Sequence, residues 1–150
     1  MIDHGLRVRS LVFDDDEAVR ALLVWILESR GHEVFAFDHP SLCDQCRCYS
    51  DERCADIIVS DVGMPRHTGV EFLENQARRG CRARFAALMS GGWSEDDLQR
   101  ADGLDCKVFR KPLDLDAVGE WLDECERRID PGRMLTPWFL EGTKREVDPE

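Results

Sequence analysis

The sequence has no apolar run near the roughly 20 residues that a bilayer-spanning helix needs. Met1 to Arg7 has none of the apolar core that marks a signal peptide. These absences predict a protein that is not inserted in a membrane and stays in the cytoplasm, where thiols remain reduced and disulfides are uncommon. An excess of basic residues is missing as well. Lys and Arg number 20 against 31 Asp and Glu, a formal net charge of −11, the wrong sign for a surface that binds nucleic acid. Internal repeats are absent too.

What the sequence does have suits one globular domain. Its 150 residues, 43% hydrophobic and 34% charged, supply a core able to fold without staples. Seven cysteines are many for a cytoplasmic chain and call for a local explanation.

Short apolar runs alternate with helical patterns. Leu11-Val12-Phe13 reads as a strand that ends on Asp14-Asp15-Asp16. Val19, Leu22, Leu23, Ile26 and Leu27 then recur at helical spacing, with Asp16 and Glu17 at the positive end and Gly31 as the terminating residue. His32 to Phe37 alternates like a second strand, and Ala55 to Asp61 is a β-branched run that stops on a carboxylate. A helix from about Gly69 follows, then a strand Phe85 to Met89 ending at Ser90-Gly91-Gly92. Ser94 is placed to cap a short acidic helix to about Ala101. Cys106 to Arg110 is the fifth strand, ending at Lys111-Pro112, and a helix from about Asp114 carries Val118, Trp121, Leu122, Cys125 and Ile129. Asp130-Pro131-Gly132 breaks that helix. The predicted fold is α/β, a doubly wound five-stranded parallel sheet of flavodoxin-like type. The expected division is a domain over 7–129 and a tail over 130–150 without an output domain.

The carboxyl ends of the strands form the edge where such sheets bind ligands. Here that edge collects Asp14, Asp15, Asp61, Ser90 and Lys111. Clustered carboxylates repel unless a cation offsets them, and an all-oxygen set suits a hard ion such as Mg²⁺. A metal beside an ammonium and a hydroxyl is a phosphoryl-binding arrangement, with Asp61 available as the nucleophile.

Phe13-Asp14-Asp15-Asp16, Ser60-Asp61-Val62-Gly63-Met64-Pro65, Met89-Ser90-Gly91 and Arg110-Lys111-Pro112-Leu113, in this order, resemble the receiver domain (CheY-like) of two-component response regulators. The resemblance covers about Val8 to Arg127. It implies that Asp61 accepts phosphate from a sensor histidine kinase or phosphotransfer protein and that the chain signals to a downstream protein effector. It implies Mg²⁺ ligation by Asp15, Asp61 and the Gly63 carbonyl, with Asp14 acting through a water. Lys111 would contact Asp61 and the phosphoryl oxygens, Ser90 would swing in, and amides of Val62 and Gly91 would donate. It also implies a cis Lys111-Pro112 peptide. Val108 stands where the family often has Phe or Tyr, and Gly63 offers no side chain over the site.

Phe13-Asp14-Asp15-Asp16 also contains the Asp-x-Asp of haloacid-dehalogenase-type phosphatases, with Asp14 as nucleophile and Asp16 as acid/base. That alternative leaves Ser60-Asp61 and Met64-Pro65 unexplained, and Ala18 stands where those enzymes place Thr or Val. Cys43, Cys46, Cys48 and Cys54 fall in a stretch with almost no apolar periodicity, so the second crossover is expected to be largely a Cys-rich loop. Tetrahedral Zn²⁺, a redox-responsive thiol cluster, or inert thiols each fit that spacing.

Overall fold

The computed structural model describes residues 7–39, 52–64, 68–81 and 83–135. Its elements in chain order are β1 (Arg9–Phe13), α1 (Glu17–Ser29), β2 (Glu33–Phe37), β3 (Glu52–Arg53), β4 (Ile57–Asp61) and α2 (Gly69–Arg78). There follow β5 (Phe85–Ser90), α3 (Glu95–Gly103), β6 (Lys107–Arg110), α4 (Leu115–Arg128) and β7 (Met134–Leu135). Cys43, Cys46 and Cys48, with the expected loop of the second crossover, lie outside the described residues, as does Trp138-Phe139-Leu140.

Five strands form one parallel sheet in the order β2-β1-β4-β5-β6. This is the predicted α/β doubly wound, flavodoxin-like architecture. Successive side chains of a strand point to opposite faces, and both faces are covered. Leu11, Phe13, Ile58 and Leu88 pack with Val70, Phe72 and Leu73 of α2 and Ala101 of α3. Val12, Ile57, Val59, Ala87, Met89 and Phe109 pack with Leu23 and Leu27 of α1 and Val118, Leu122 and Cys125 of α4. β1 and β4 are buried along their whole length, and Leu11-Val12-Phe13 and Ile57-Ile58-Val59 within them are continuous apolar runs.

Local signals set the helix ends. Asp16 accepts hydrogen bonds from the Ala18 and Val19 amides, and Asp114 from those of Asp116 and Ala117. Thr68 and Glu71 close a capping box at the start of α2. Ser94 caps α3 as expected. Gly31 takes a positive φ of 88° beyond α1, a conformation that glycine adopts without steric cost. Among the described residues no helix is long and apolar enough to cross a membrane.

The chain beyond α4 does not simply leave the domain. β7 pairs in parallel with β3 as a small second sheet. The Arg133 guanidinium donates to both oxygens of Asp56 at 2.8 and 2.7 Å, with side-chain exposures of 6% and 0%. Two-residue strands carry no periodicity, so this anchor gives no pattern in the sequence.

Candidate functional site

Register brings the site together. β1 pairs with β4 so that Phe13 lies opposite Ser60. The next residues, Asp14 and Asp61, are therefore neighbours at the carboxyl edge. β5 pairs with β6 so that Ser90 lies opposite Arg110, and the Lys111 amide donates to the Ser90 carbonyl at 2.9 Å. Alternation adds a second constraint. Asp14, Asp61 and Lys111 each sit two residues beyond a side chain in the core facing α1 and α4, namely Val12, Val59 and Phe109. All three consequently share a face. The Lys111-Pro112 peptide is cis.

The Lys111 ammonium lies 3.0 Å from Asp14 Oδ2 and 3.0 Å from Asp61 Oδ1. Asp14, Asp15 and Asp61 each offer a carboxylate oxygen within 4.8 Å of the others, with Asp15 exposed and the other two buried. Among the described residues three acids face one ammonium, an excess of negative charge. Burial pushes the Asp14 carboxyl above its ordinary range, although the Asp16 amide and Lys111 pull the other way. Burial also works against the Lys111 ammonium, but the hydrogen-bonded carboxylates of Asp14 and Asp61 outweigh it and hold its pKa up. Convergent hard oxygens with unbalanced charge fit a divalent cation such as Mg²⁺.

The two buried aspartates are not equivalent. Asp14 uses Oδ1 to accept from the Asp16 amide at 2.8 Å and Oδ2 to accept from Lys111. Among the described residues, Asp61 meets Lys111 through Oδ1 alone. Its Oδ2 faces the small exposed Gly63, where even an added Cβ would stand 3.9 Å away. Asp61 Oδ2 therefore carries no hydrogen bond among the described residues, whereas both oxygens of Asp14 are engaged. Asp16, the acid/base of the phosphatase alternative, has Oδ1 engaged by two amides of the first turn of α1.

The Ser90 hydroxyl and the Val62 amide both have partners within the fold. The Ser90 hydroxyl exchanges hydrogen bonds with Gly92, donating to its carbonyl at 3.2 Å and accepting from its amide at 3.1 Å. The Val62 amide donates to the Met89 carbonyl at 2.8 Å. Gly91 is exposed at the strand tip. Of the four grouped cysteines only Cys54 is described, and it is fully buried in the core facing α2 and α3. Sequence reasoning missed Gly69. A Cβ there would fall 2.3 Å from the Asp61 carbonyl oxygen, so glycine lets α2 begin directly against the backbone of Asp61. A missing side chain at a helix start leaves no distinctive signal.

A family model described as response regulator receiver domain matches residues 11–118. No curated protein matches the chain. Among solved structures, the chemotaxis protein CheY4 of Vibrio cholerae is 21% identical, with a TM-score of 0.65 over 80% of this chain and 99% of that one. A response regulator receiver protein from Pseudomonas putida is 19% identical, with a TM-score of 0.68 over 79% and 98%. The beryllofluoride-activated NtrC4 receiver domain dimer is 21% identical, with a TM-score of 0.65 over 79% and 96%. At these identities the likeness is one of fold.

Proposed function

Because this chain belongs to the response regulator receiver domain family of two-component signalling, we propose that Asp61 is its phosphoacceptor. An Asp61 oxygen attacks the phosphorus of a phosphohistidine on a sensor histidine kinase or phosphotransfer protein. An oxygen–phosphorus bond forms, the phosphorus–nitrogen bond breaks, and the imidazole leaves. The chain is then a phosphoacceptor rather than an enzyme with a turnover of its own, and it passes the signal to a downstream protein effector through a changed surface.

Lys111 holds Asp61 Oδ1 in place and offers its charge to the incoming phosphoryl oxygens. Asp15, Asp61 and the Gly63 carbonyl would hold Mg²⁺ directly, with Asp14 acting through a water, and the bound ion would neutralise charge on the transferred group. Asp14 keeps Lys111 in register from the opposite side. Gly63 leaves the approach to Oδ2 open.

The observation that supports this function is the asymmetry between the two buried carboxylates on one lysine: among the described residues Asp14 is hydrogen-bonded through both oxygens and Asp61 through Oδ1 alone. Incubation with a small phosphoramidate donor and Mg²⁺ tests it. Wild type and Asp14→Asn should each yield a hydroxylamine-labile phosphoryl adduct, and Asp61→Asn should yield none. An adduct that survives in Asp61→Asn but is lost in Asp14→Asn would transfer the role to Asp14.

A further inference from the structure

Two of the three clustered acids are held through their own carboxylates. Asp14 accepts from the Asp16 amide and from Lys111, and Asp61 is paired with Lys111. Asp15 is exposed, and among the described residues its carboxylate has no hydrogen bond. Its aim therefore depends on the backbone that carries it. Arg20, in the first turn of α1, reaches back to that backbone, and its Nη1 donates to the Asp14 carbonyl at 2.8 Å. Among the described residues this is the one hydrogen bond to the peptide that joins Asp14 to Asp15. A peptide unit is planar from one Cα to the next. Holding the Asp14 oxygen thus holds the Asp15 Cα and limits where its side chain can point.

We propose that Arg20 is a positioning residue for a divalent cation, holding the Asp14–Asp15 peptide so that the Asp15 carboxylate faces the ion. The proposal rests on Asp15 being a ligand of that ion. A guanidinium close to an acidic cluster has an obvious alternative, a forked ion pair with one of the carboxylates. Among the described residues Arg20 makes no ion pair. Its donor goes to a carbonyl instead, so no carboxylate oxygen is taken from the cluster and the excess negative charge is kept for a cation. Removing Arg20 has two opposed effects. Asp15 loses its fixed direction, which weakens cation binding, and a nearby positive charge disappears, which strengthens it. Groups that orient a metal ligand are worth roughly 10- to 100-fold in affinity. Salt screens the charge effect and leaves the orienting effect in place.

Mg²⁺ titration of the full chain, followed by the Val62 and Gly63 amide signals in NMR, tests this. In about 1 M KCl charges are screened beyond about 3 Å, and there Arg20→Met should bind Mg²⁺ about tenfold more weakly than wild type. Arg20→Lys, which keeps an ammonium on a shorter stem, should fall between the two. Without Mg²⁺ both variants should melt within about 2 °C of wild type. Binding by Arg20→Met as tight as wild type or tighter overturns the proposal. So does a midpoint lowered by more than about 5 °C in both variants, which assigns the bond to the fold. Asp15→Asn separates the two layers of the argument. If it binds Mg²⁺ as wild type does, Asp15 is no ligand and both readings fall. If it binds weakly while Arg20→Met binds normally, only the role of Arg20 falls.

Discussion

Asp56 stands just before β4 and Asp61 at its end, and the two are buried to 0% and 6% exposure. Their surroundings are built on opposite principles. Asp56 receives two hydrogen bonds from the Arg133 guanidinium and a third from the Arg9 amide at 3.0 Å, so its charge and lone pairs are met. Nearby at the same edge of the sheet, His32 is equally well provided. Its Nδ1 lies 2.8 Å from the Ser10 hydroxyl and its Nε2 2.7 Å from Glu126, which also binds Arg30. At the opposite edge, Asp61 shares one ammonium with Asp14 while Asp15 adds a third carboxylate. Buried charge that is fully matched holds a fold in one arrangement. Buried charge left in excess costs stability unless a ligand completes it. The matched end ties distant segments together, and the unmatched end has carboxylate charge that a cation would complete.

That contrast predicts effects of different kinds from the same chemical change. Asp56→Asn should lower unfolding free energy by about 3–5 kcal/mol in urea denaturation, because Arg133 is left buried without its counter-charge. The molecules that remain folded should still accept phosphate. Asp61→Asn should do the reverse, abolishing phosphoryl uptake with little loss of stability. If Asp56→Asn proved as stable as wild type, the distinction between the two ends would fail.

Lys111→Met should slow uptake from a small phosphodonor by on the order of a hundredfold, the scale seen when one preorganised charge contact to a transferring group is removed. Single-turnover rates measured by intact mass would check this. A rate within a few-fold of wild type would mean that Lys111 serves only the resting charge balance.

Millimolar Mg²⁺ should raise the thermal midpoint of wild type by on the order of 5 °C and leave Asp15→Asn nearly unmoved, since a ligand of the folded state stabilises in proportion to its occupancy. Asp56→Asn should retain the rise from its lower starting point. Equal rises in all three proteins would place the ion elsewhere.

The smallest effect concerns pH at the matched end. Burial holds the His32 pKa below its ordinary value of 6.5, against the pull of Glu126. Arg30 also disfavours the imidazolium, and Asp56 favours it. The folded state therefore binds the proton less readily than the unfolded chain does. Stability from this group is full above about pH 6.5 and falls as pH drops through the ordinary value, by at most ~1.4 kcal/mol per pH unit. Glu126 is held below its ordinary 4.5, so its own loss begins only in that lower range. Urea midpoints between pH 7.5 and pH 5 should show the slope in wild type and not in His32→Gln.

Much of the candidate site was legible because it depends on local signals. Asp14, Asp61 and Lys111 each terminate an apolar run, and each has the strand parity that puts it on the face of Val12, Val59 and Phe109. Caps at Asp16, Ser94 and Asp114 announced their helices directly. Ser90 was legible as a position but not as an orientation, since its rotamer follows the Gly92 backbone that turns beside it. Gly69 was silent because what matters is the room left by an absent Cβ. Trp93 carried no periodic signal, and Phe109, whose carbonyl accepts its indole N–H, lies 16 residues away on β6.

The sequence by itself determined the alternation of strands and helices, and so which residues end the strands of a parallel sheet. Period and capping act within a few residues, and strand ends follow from them. Only the tertiary structure decided which buried charges are matched. Asp56 meets an arginine 77 residues away, and His32 meets a glutamate 94 residues away. Those partners are set by where α4 and the segment beyond it come to rest, and packing across the sheet fixes that place.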